Sequence, residues 1–218
     1  LYPYLSLRQE DQALGQALGQ RLRSGGGAYL VSVNFGVGGN RRKRVDDPFE
    51  ERLLLSLIDD GGTVILAKGV GQEEIERANR LIEALRERGK TVVEFDEGAW
   101  HNERSLFGSS YEYPACSNDL SRYYQAADVL AWQGGVGLFC ALIAASDEYI
   151  GYDSAGQHIA AALGVPTIDI FADSSYPLIS ERWRPYGPGI VKVVKAEAGD
   201  DLARILDKVM ACHREIIG

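Results

Sequence analysis

The stretch that most constrains this 218-residue chain runs from Ser146 to Phe171, S-D-E-Y-I-G-Y-D-S-A-G-Q-H-I-A-A-A-L-G-V-P-T-I-D-I-F. It predicts a short strand, Glu148 to Tyr152, that breaks at Asp153 into a tight turn. A helix follows over Ala155 to Leu163, and a second strand, Thr167 to Phe171, comes after Gly164 and Pro166. Ser154 is placed to cap that helix, with Gln157 three residues on as in a capping box. The first helical turn presents free N–H groups and the positive end of a helix dipole, which together favour an anion. Gly156 permits close approach of a ligand to the backbone, and Ala160-Ala161-Ala162 lets the helix lie close to a sheet. A well-capped crossover helix would give the same pattern. Asp153 at the carboxyl end of a strand and His158 in the first helical turn point further, because open α/β sheets bind ligands at that edge. A histidine so placed can hydrogen-bond a phosphate or cap its own turn.

The rest of the chain repeats the alternation. Glu10 to Arg23 reads as a lead-in helix, and Ala28 to Asn34 as a continuous apolar strand suited to a sheet covered on both faces. That strand runs into Phe35-Gly36-Val37-Gly38-Gly39-Asn40 and then Arg41-Arg42-Lys43-Arg44. Glycines permit a backbone nest for anions, and an adjacent lysine or arginine neutralises phosphate charge. The alternative is a flexible, solvated loop. No dinucleotide fingerprint is present, because these glycines do not lead straight into a helix. Asp47 is expected to cap the next helix, with Pro48 at its first position and Glu50 reaching back.

Thr63 to Ala67 is the second strand, with Lys68-Gly69-Val70-Gly71 as the turn at its carboxyl end. Gln72 to Arg88 is amphipathic. Glu73 and Glu74 in its first turn either favour the helix dipole or accept hydrogen bonds from ribose hydroxyls. Thr91 to Phe95 is a third strand. From about 96 to 121 the pattern dissolves into an irregular insertion. Asp128 to Trp132 is a strand, Gln133-Gly134-Gly135-Val136-Gly137 turns into a helix over Leu138 to Ala145, Ile190 to Val194 is a last strand, and a closing helix covers about 200–217. The expected fold is α/β, a Rossmann-like, doubly wound, mostly parallel sheet forming one domain over residues 1–218.

The net charge of −8 argues against a general nucleic-acid or membrane-surface binder. Three cysteines far apart suggest no disulfide framework and point to a reducing compartment, and the three histidines lack metal-ligand spacing. Neither a metal nor any other cofactor is expected. The chain opens at Leu1 rather than a methionine, which suggests an excised piece.

The segment Y-I-G-Y-D-S-A-G-Q-H-I-A-A-A-L-G-V-P-T resembles the D-[ST]-G-x-x-H-x-A-A-A-x-G-x-P-T signature of the ADP-heptose lipopolysaccharide heptosyltransferases and their glycosyltransferase relatives. The resemblance extends back through G-V-G-Q-E-E-I-E-R-A to the Asn34 loop. It implies half of a GT-B enzyme, in which two Rossmann-like domains face each other across a cleft and the carboxyl-terminal one binds a nucleotide-sugar donor. By length this chain is similar to that donor-binding domain alone. Ser154, Ala155 and Gly156 would offer N–H groups to a diphosphate, with Asp153 and His158 fixing the turn. Lys43 or Arg44 would match the phosphate-neutralising lysine, although the family's tryptophan two positions on is Val45 here. Glu73 would match the ribose-binding glutamate, Gly135, Val136 and Gly137 would edge the base pocket, and Asn34, Gly36, Lys68 and Gly69 would complete the donor-binding set. The implied chemistry is inverting, metal-independent transfer of an ADP-heptose-like sugar to a lipopolysaccharide or other glycan acceptor, which can be lipid-linked. The base would lie in an amino-terminal domain absent from this chain, and the location would be cytoplasmic, peripheral at the inner face of the membrane. A stand-alone nucleotide-binding or regulatory module without transferase activity is the competing expectation.

Overall fold

The computed structural model describes residues 2–98, 127–172, 178–197 and 200–218. In chain order it comprises α1 (Gln9–Ser24), β1 (Tyr29–Asn34), a 3-10 turn (Arg41–Lys43), α2 (Phe49–Asp59), β2 (Gly62–Ala67), α3 (Gln72–Glu87) and β3 (Val92–Asp96). Then come β4 (Val129–Gln133), α4 (Val136–Ala144), β5 (Glu148–Tyr152), α5 (Ala155–Leu163), β6 (Thr167–Phe171), α6 (Ile179–Trp183), β7 (Val191–Lys195) and α7 (Leu202–Ile217). The seven strands form one sheet in the order β3-β4-β2-β1-β5-β6-β7. Every pairing is parallel, so the expected mostly parallel sheet is wholly parallel among the described residues. The irregular insertion expected over about 96–121 lies outside the described residues from position 99 onward.

Parallel strands need crossovers, and here the crossovers cover both faces. One core gathers α2, α3 and α7 over Val31, Val33, Leu66, Ile150 and Ile168. The other face carries α1 and α4 over Leu30, Ile65 and Leu130, extended by Tyr149, Ala160 and Val165 beside α5. Within α2, Leu53, Leu54 and Leu57 are fully buried, and each contributes about 1.5–3 kcal/mol by leaving water.

Two caps differ from expectation. Helix α2 begins at Phe49 after Pro48, with no side-chain cap. Asp47 accepts from Arg44 Nη2 at 3.0 Å instead. The Glu50 carboxylate is buried between Arg44 Nε at 2.9 Å and Arg77 Nε at 3.2 Å. Two guanidinium partners outweigh one backbone N–H for a buried carboxylate. At α5, the Ser154 side chain makes no cap, and Gln157 Nε2 donates to Asp153 Oδ1 at 3.0 Å rather than closing a capping box.

At the opposite, amino-terminal edge of the sheet, α7 is latched by a fully buried group. His213 Nδ1 lies 2.5 Å from Glu148 Oε2 and its Nε2 lies 2.9 Å from the Tyr29 hydroxyl, which donates to the Leu57 carbonyl at 2.9 Å. Burial pushes the Glu148 carboxyl up, and His213 opposes that shift. Replacing His213 by alanine strands Glu148 in the core, where breaking a buried pair costs about 3 kcal/mol or more. Urea unfolding of His213→Ala is therefore expected to show a loss of that order. Lys192→Ala, which removes the exposed 2.6 Å pair with Glu215 on the same helix, is expected to leave the midpoint unchanged. Equal effects of the two variants would contradict the latch.

Candidate functional site

The carboxyl ends of β1, β2, β4 and β5 converge on a cavity of about 450 Å³. It lies where β1 is flanked by β2 on one side and β5 on the other. The chain reverses its winding direction there, and open α/β sheets leave a crevice at that point. Two walls come from the loops singled out in the sequence: Asn34, Gly36 and Lys43 after β1, and Asp153, Ser154 and Ala155 after β5. Gly69 and Val136 also line it.

The β1 loop is shaped by carboxylate and amide acceptors. Asn34 Oδ1 accepts from the Gly36 N–H at 2.8 Å. Glu74 Oε1 accepts from the N–H groups of Val37 at 2.9 Å and Gly38 at 3.1 Å, and its Oε2 from Val70 at 3.3 Å. One carboxylate therefore ties the loop after β1 to the turn after β2. Gly69 is required at that junction, having a φ of +86° and a backbone position where a Cβ would lie 2.6 Å from Glu74 Oε2. Burial pushes the Glu74 carboxyl up, but the N–H donors of Val37, Gly38, Val70 and Gly71 outweigh it and hold the group below its usual range. Glu74 was legible only as an acidic first-turn residue beside Glu73, because its partners come from two distant loops.

The β5–α5 turn faces this loop. Lys43 Nζ lies 2.7 Å from Asp153 Oδ2 and 3.3 Å from the Asp153 carbonyl, so the cation sits directly over the turn. No cap hydrogen bond from the Ser154 side chain reaches α5, so among the described residues its first-turn N–H groups lack a capping oxygen. Gly156 is buried against Tyr149, where a Cβ would overlap the phenol oxygen. Its role in this position is close packing beneath the turn.

The remaining sequence candidates lie elsewhere. Arg44 is committed to Glu50 and Asp47 and braces the loop from behind. Arg77, on the same Glu50, also donates to the Phe35 carbonyl. Lys68 Nζ pairs with Glu94 at 3.0 Å. Glu73 is exposed and pairs with Arg41 at 2.7 Å, beside a smaller neighbouring cleft. The Gly135 N–H donates to Glu97 Oε2 at 2.7 Å and borders another cleft. His158 is exposed, with its ring Nε2 3.4 Å from Gln157 Nε2, and does not line the main cavity.

Sequence reasoning also missed an apolar half of the cavity, formed by Ala67, Val70, Trp132, Phe139 and Ile159. Trp132 and Phe139 stack with centroids 5.5 Å apart and planes 4° from parallel. The cavity therefore joins a polar end, with a cation and a helix N-terminus, to an apolar end floored by aromatic rings. Such a combination suits a ligand with an anionic group and a flat, apolar body. Among the described residues, no group of three or more His, Cys, Asp and Glu side chains could hold a metal ion. No described helix is long and apolar enough to cross a membrane.

Removing the Glu74 carboxylate frees amides of both loops at once. Glu74→Ala is expected to speed hydrogen exchange at Val37, Gly38 and Val70 by about tenfold or more, leaving β1 protected. In the unsubstituted chain the depressed carboxyl gives a contribution that is present above the ordinary glutamate range, about 4.3, and fades as pH falls through the lower folded value. Unchanged exchange at these amides would contradict the tie.

Residues 133–204 match the family model described as glycosyltransferase family 9 (heptosyltransferase). No curated protein matches the chain by sequence. Among solved structures, it is similar to a glycosyl transferase family 9 protein from Veillonella parvula DSM 2008, with a TM-score of 0.61 at 13% identity over 98% of this chain and 53% of that one. It is similar to E. coli ADP-heptose lps heptosyltransferase II, with a TM-score of 0.58 at 17% identity over 99% of this chain and 54% of that one. A third is E. coli heptosyltransferase WaaC with ADP, with a TM-score of 0.54 at 18% identity, covering 88% and 45%. The chain thus spans about half the length of these structures. By sequence over residues 133–204 and by fold over nearly its whole length, this chain resembles the heptosyltransferases of glycosyltransferase family 9.

Proposed function

We propose that this chain is the donor-binding half of an inverting, metal-independent glycosyltransferase, and that the cavity holds a nucleoside-diphosphate sugar of the ADP-heptose kind. The observation that carries the reading is Lys43 held over the uncapped N-terminus of α5 by Asp153. A cation and a set of free N–H groups there act on one spot, as a diphosphate requires. The apolar end with Trp132 and Phe139 offers a surface for the flat base. The resemblance to E. coli ADP-heptose lps heptosyltransferase II and to E. coli heptosyltransferase WaaC with ADP supports the same ligand class.

In this reading an acceptor hydroxyl attacks the anomeric carbon, the bond to the diphosphate oxygen breaks, and the nucleoside diphosphate leaves. Negative charge grows on the leaving group, and the α5 amides and Lys43 stabilise it as it forms. These supply what a divalent cation supplies elsewhere. The base that takes the hydroxyl proton, and the contacts to a glycan or lipid-linked acceptor, belong to a facing amino-terminal domain. Arg44 is assigned to loop support and Glu73 to the neighbouring surface cleft, since their side chains are engaged away from the turn.

Calorimetric titration of the chain with ADP, UDP, GDP and NAD, without metal, tests this. ADP is expected to bind best. Lys43→Ala is expected to weaken it about tenfold, the scale of one lost charge-assisted contact, and Asp153→Ala to weaken it too, because Lys43 is then no longer held over the turn. A clear preference for NAD, or ADP binding indifferent to both substitutions, would overturn the assignment.

A further inference from the structure

Behind the β5–α5 turn lies a carboxyl group that the reading above does not use. Asp169 on β6 is fully buried, and neither of its oxygens has a hydrogen-bond partner among the described residues. It pairs in register with Gly151 of β5, a residue without a side chain, two positions before Asp153 in the turn that follows the strand. Its neighbours Ile168 and Ile170 face the α2–α7 core, and by strand alternation Asp169 faces the α5 side. The charged groups acting on it are Asp153 in the turn and Lys43 in the 3-10 segment. Tyr149 of β5, the other titratable neighbour, is itself pushed up by burial and stays neutral. On α5 the buried Gln157 is uncharged and donates to Asp153, and His158 is exposed. On β7 the register partner is Val193, and Lys192 pairs with Glu215.

Two carboxyl groups therefore share one ammonium, and Lys43 spends its hydrogen bonds on Asp153. With Asp169 ionised, the three groups would sum to −1 immediately behind the proposed anion site; with Asp169 protonated they sum to zero. Resting on the reading of that turn as a diphosphate site, we propose that Asp169 is a positioning residue that holds a proton whenever the turn is occupied, so that anion binding and protonation of Asp169 are coupled. Coupling is reciprocal: a diphosphate favours the protonated acid, and loss of the proton weakens the diphosphate. Burial raises the Asp169 carboxyl to about 8, Asp153 adding to the shift and Lys43 opposing it. The coupling therefore operates at mildly alkaline pH. Because the folded value is raised above the unfolded one, the group's stabilising contribution is full below about 3.9 and is lost as pH rises to the folded value.

The test is calorimetry of ADP binding from about pH 7.5 to about 9.5, where ADP itself no longer titrates, in two buffers of different ionisation heat. The dissociation constant of the unsubstituted chain is expected to rise about tenfold across this range, with net proton uptake at the upper end. Asp169→Asn, which keeps the shape of the protonated acid, is expected to bind with a flat profile and no uptake. A flat profile without uptake in the unsubstituted chain, or a slope retained in Asp169→Asn, overturns the coupling and leaves the diphosphate site standing. If ADP binds at no pH, the diphosphate reading falls, and the proton on Asp169 is judged by thermal unfolding. The unsubstituted chain must then lose stability relative to Asp169→Asn as pH rises from about 5 to about 8.5, and parallel curves overturn it.

Discussion

The parallel pairing of β1 with β5, running from Val31 opposite Glu148 to Asn34 opposite Gly151, is the constraint on which the site depends. These strands are more than a hundred residues apart in sequence, and nothing local requires them to meet. Once they do, the glycine loop after Asn34 and the turn after Tyr152 leave the same edge of the sheet side by side. Lys43 then reaches Asp153, and Tyr152 accepts a hydrogen bond from the Val45 N–H at 3.2 Å, pinning the end of the 3-10 segment to the strand it faces. Remove this pairing and the proposed anion site separates into two unrelated loops.

Electrostatics divides the basic run Arg41-Arg42-Lys43-Arg44 by task. Arg41 reaches Glu73 at the surface, Arg44 goes inward to Glu50, and Lys43 turns to Asp153. In a chain of net charge −8, this placement matters more than the total, because a local cation beside free N–H groups sets the potential an anion meets. The Glu50 pair is the structural member of the set. Its burial between two guanidinium groups is tolerable only because both stay in place, which makes the loop behind the site stiff.

Much of the fold was legible because its signals are local. The apolar runs 29–34 and 63–67 are strands buried on both faces, and the spacing of Ile82 and Leu85 marks a helix face. The turn at Asp153 was likewise visible from the break between strand and helix. What could not be read were the long-range choices. β4 inserts between β2 and β3, an order no periodicity encodes. Glu74 outranks Glu73 as the loop's organiser because its acceptors meet amides from two loops. Asp47 and Ser154 look like caps in sequence but lose that role to Arg44 and to the Gln157–Asp153 hydrogen bond. Trp132 read only as the end of a strand, since its stacking on Phe139 depends on how α4 folds back.

In the function proposed above, one anion site is built from the β1 loop and the N-terminus of α5. A crystal structure of the chain with ADP bound tests it most directly. Diphosphate oxygens are expected within hydrogen-bonding distance of the Ala155 and Gly156 N–H groups and of Lys43 Nζ, with the base against Trp132 and Phe139. Phosphates resting on Arg41 and Arg42 at the surface, with the α5 terminus unengaged, would contradict it.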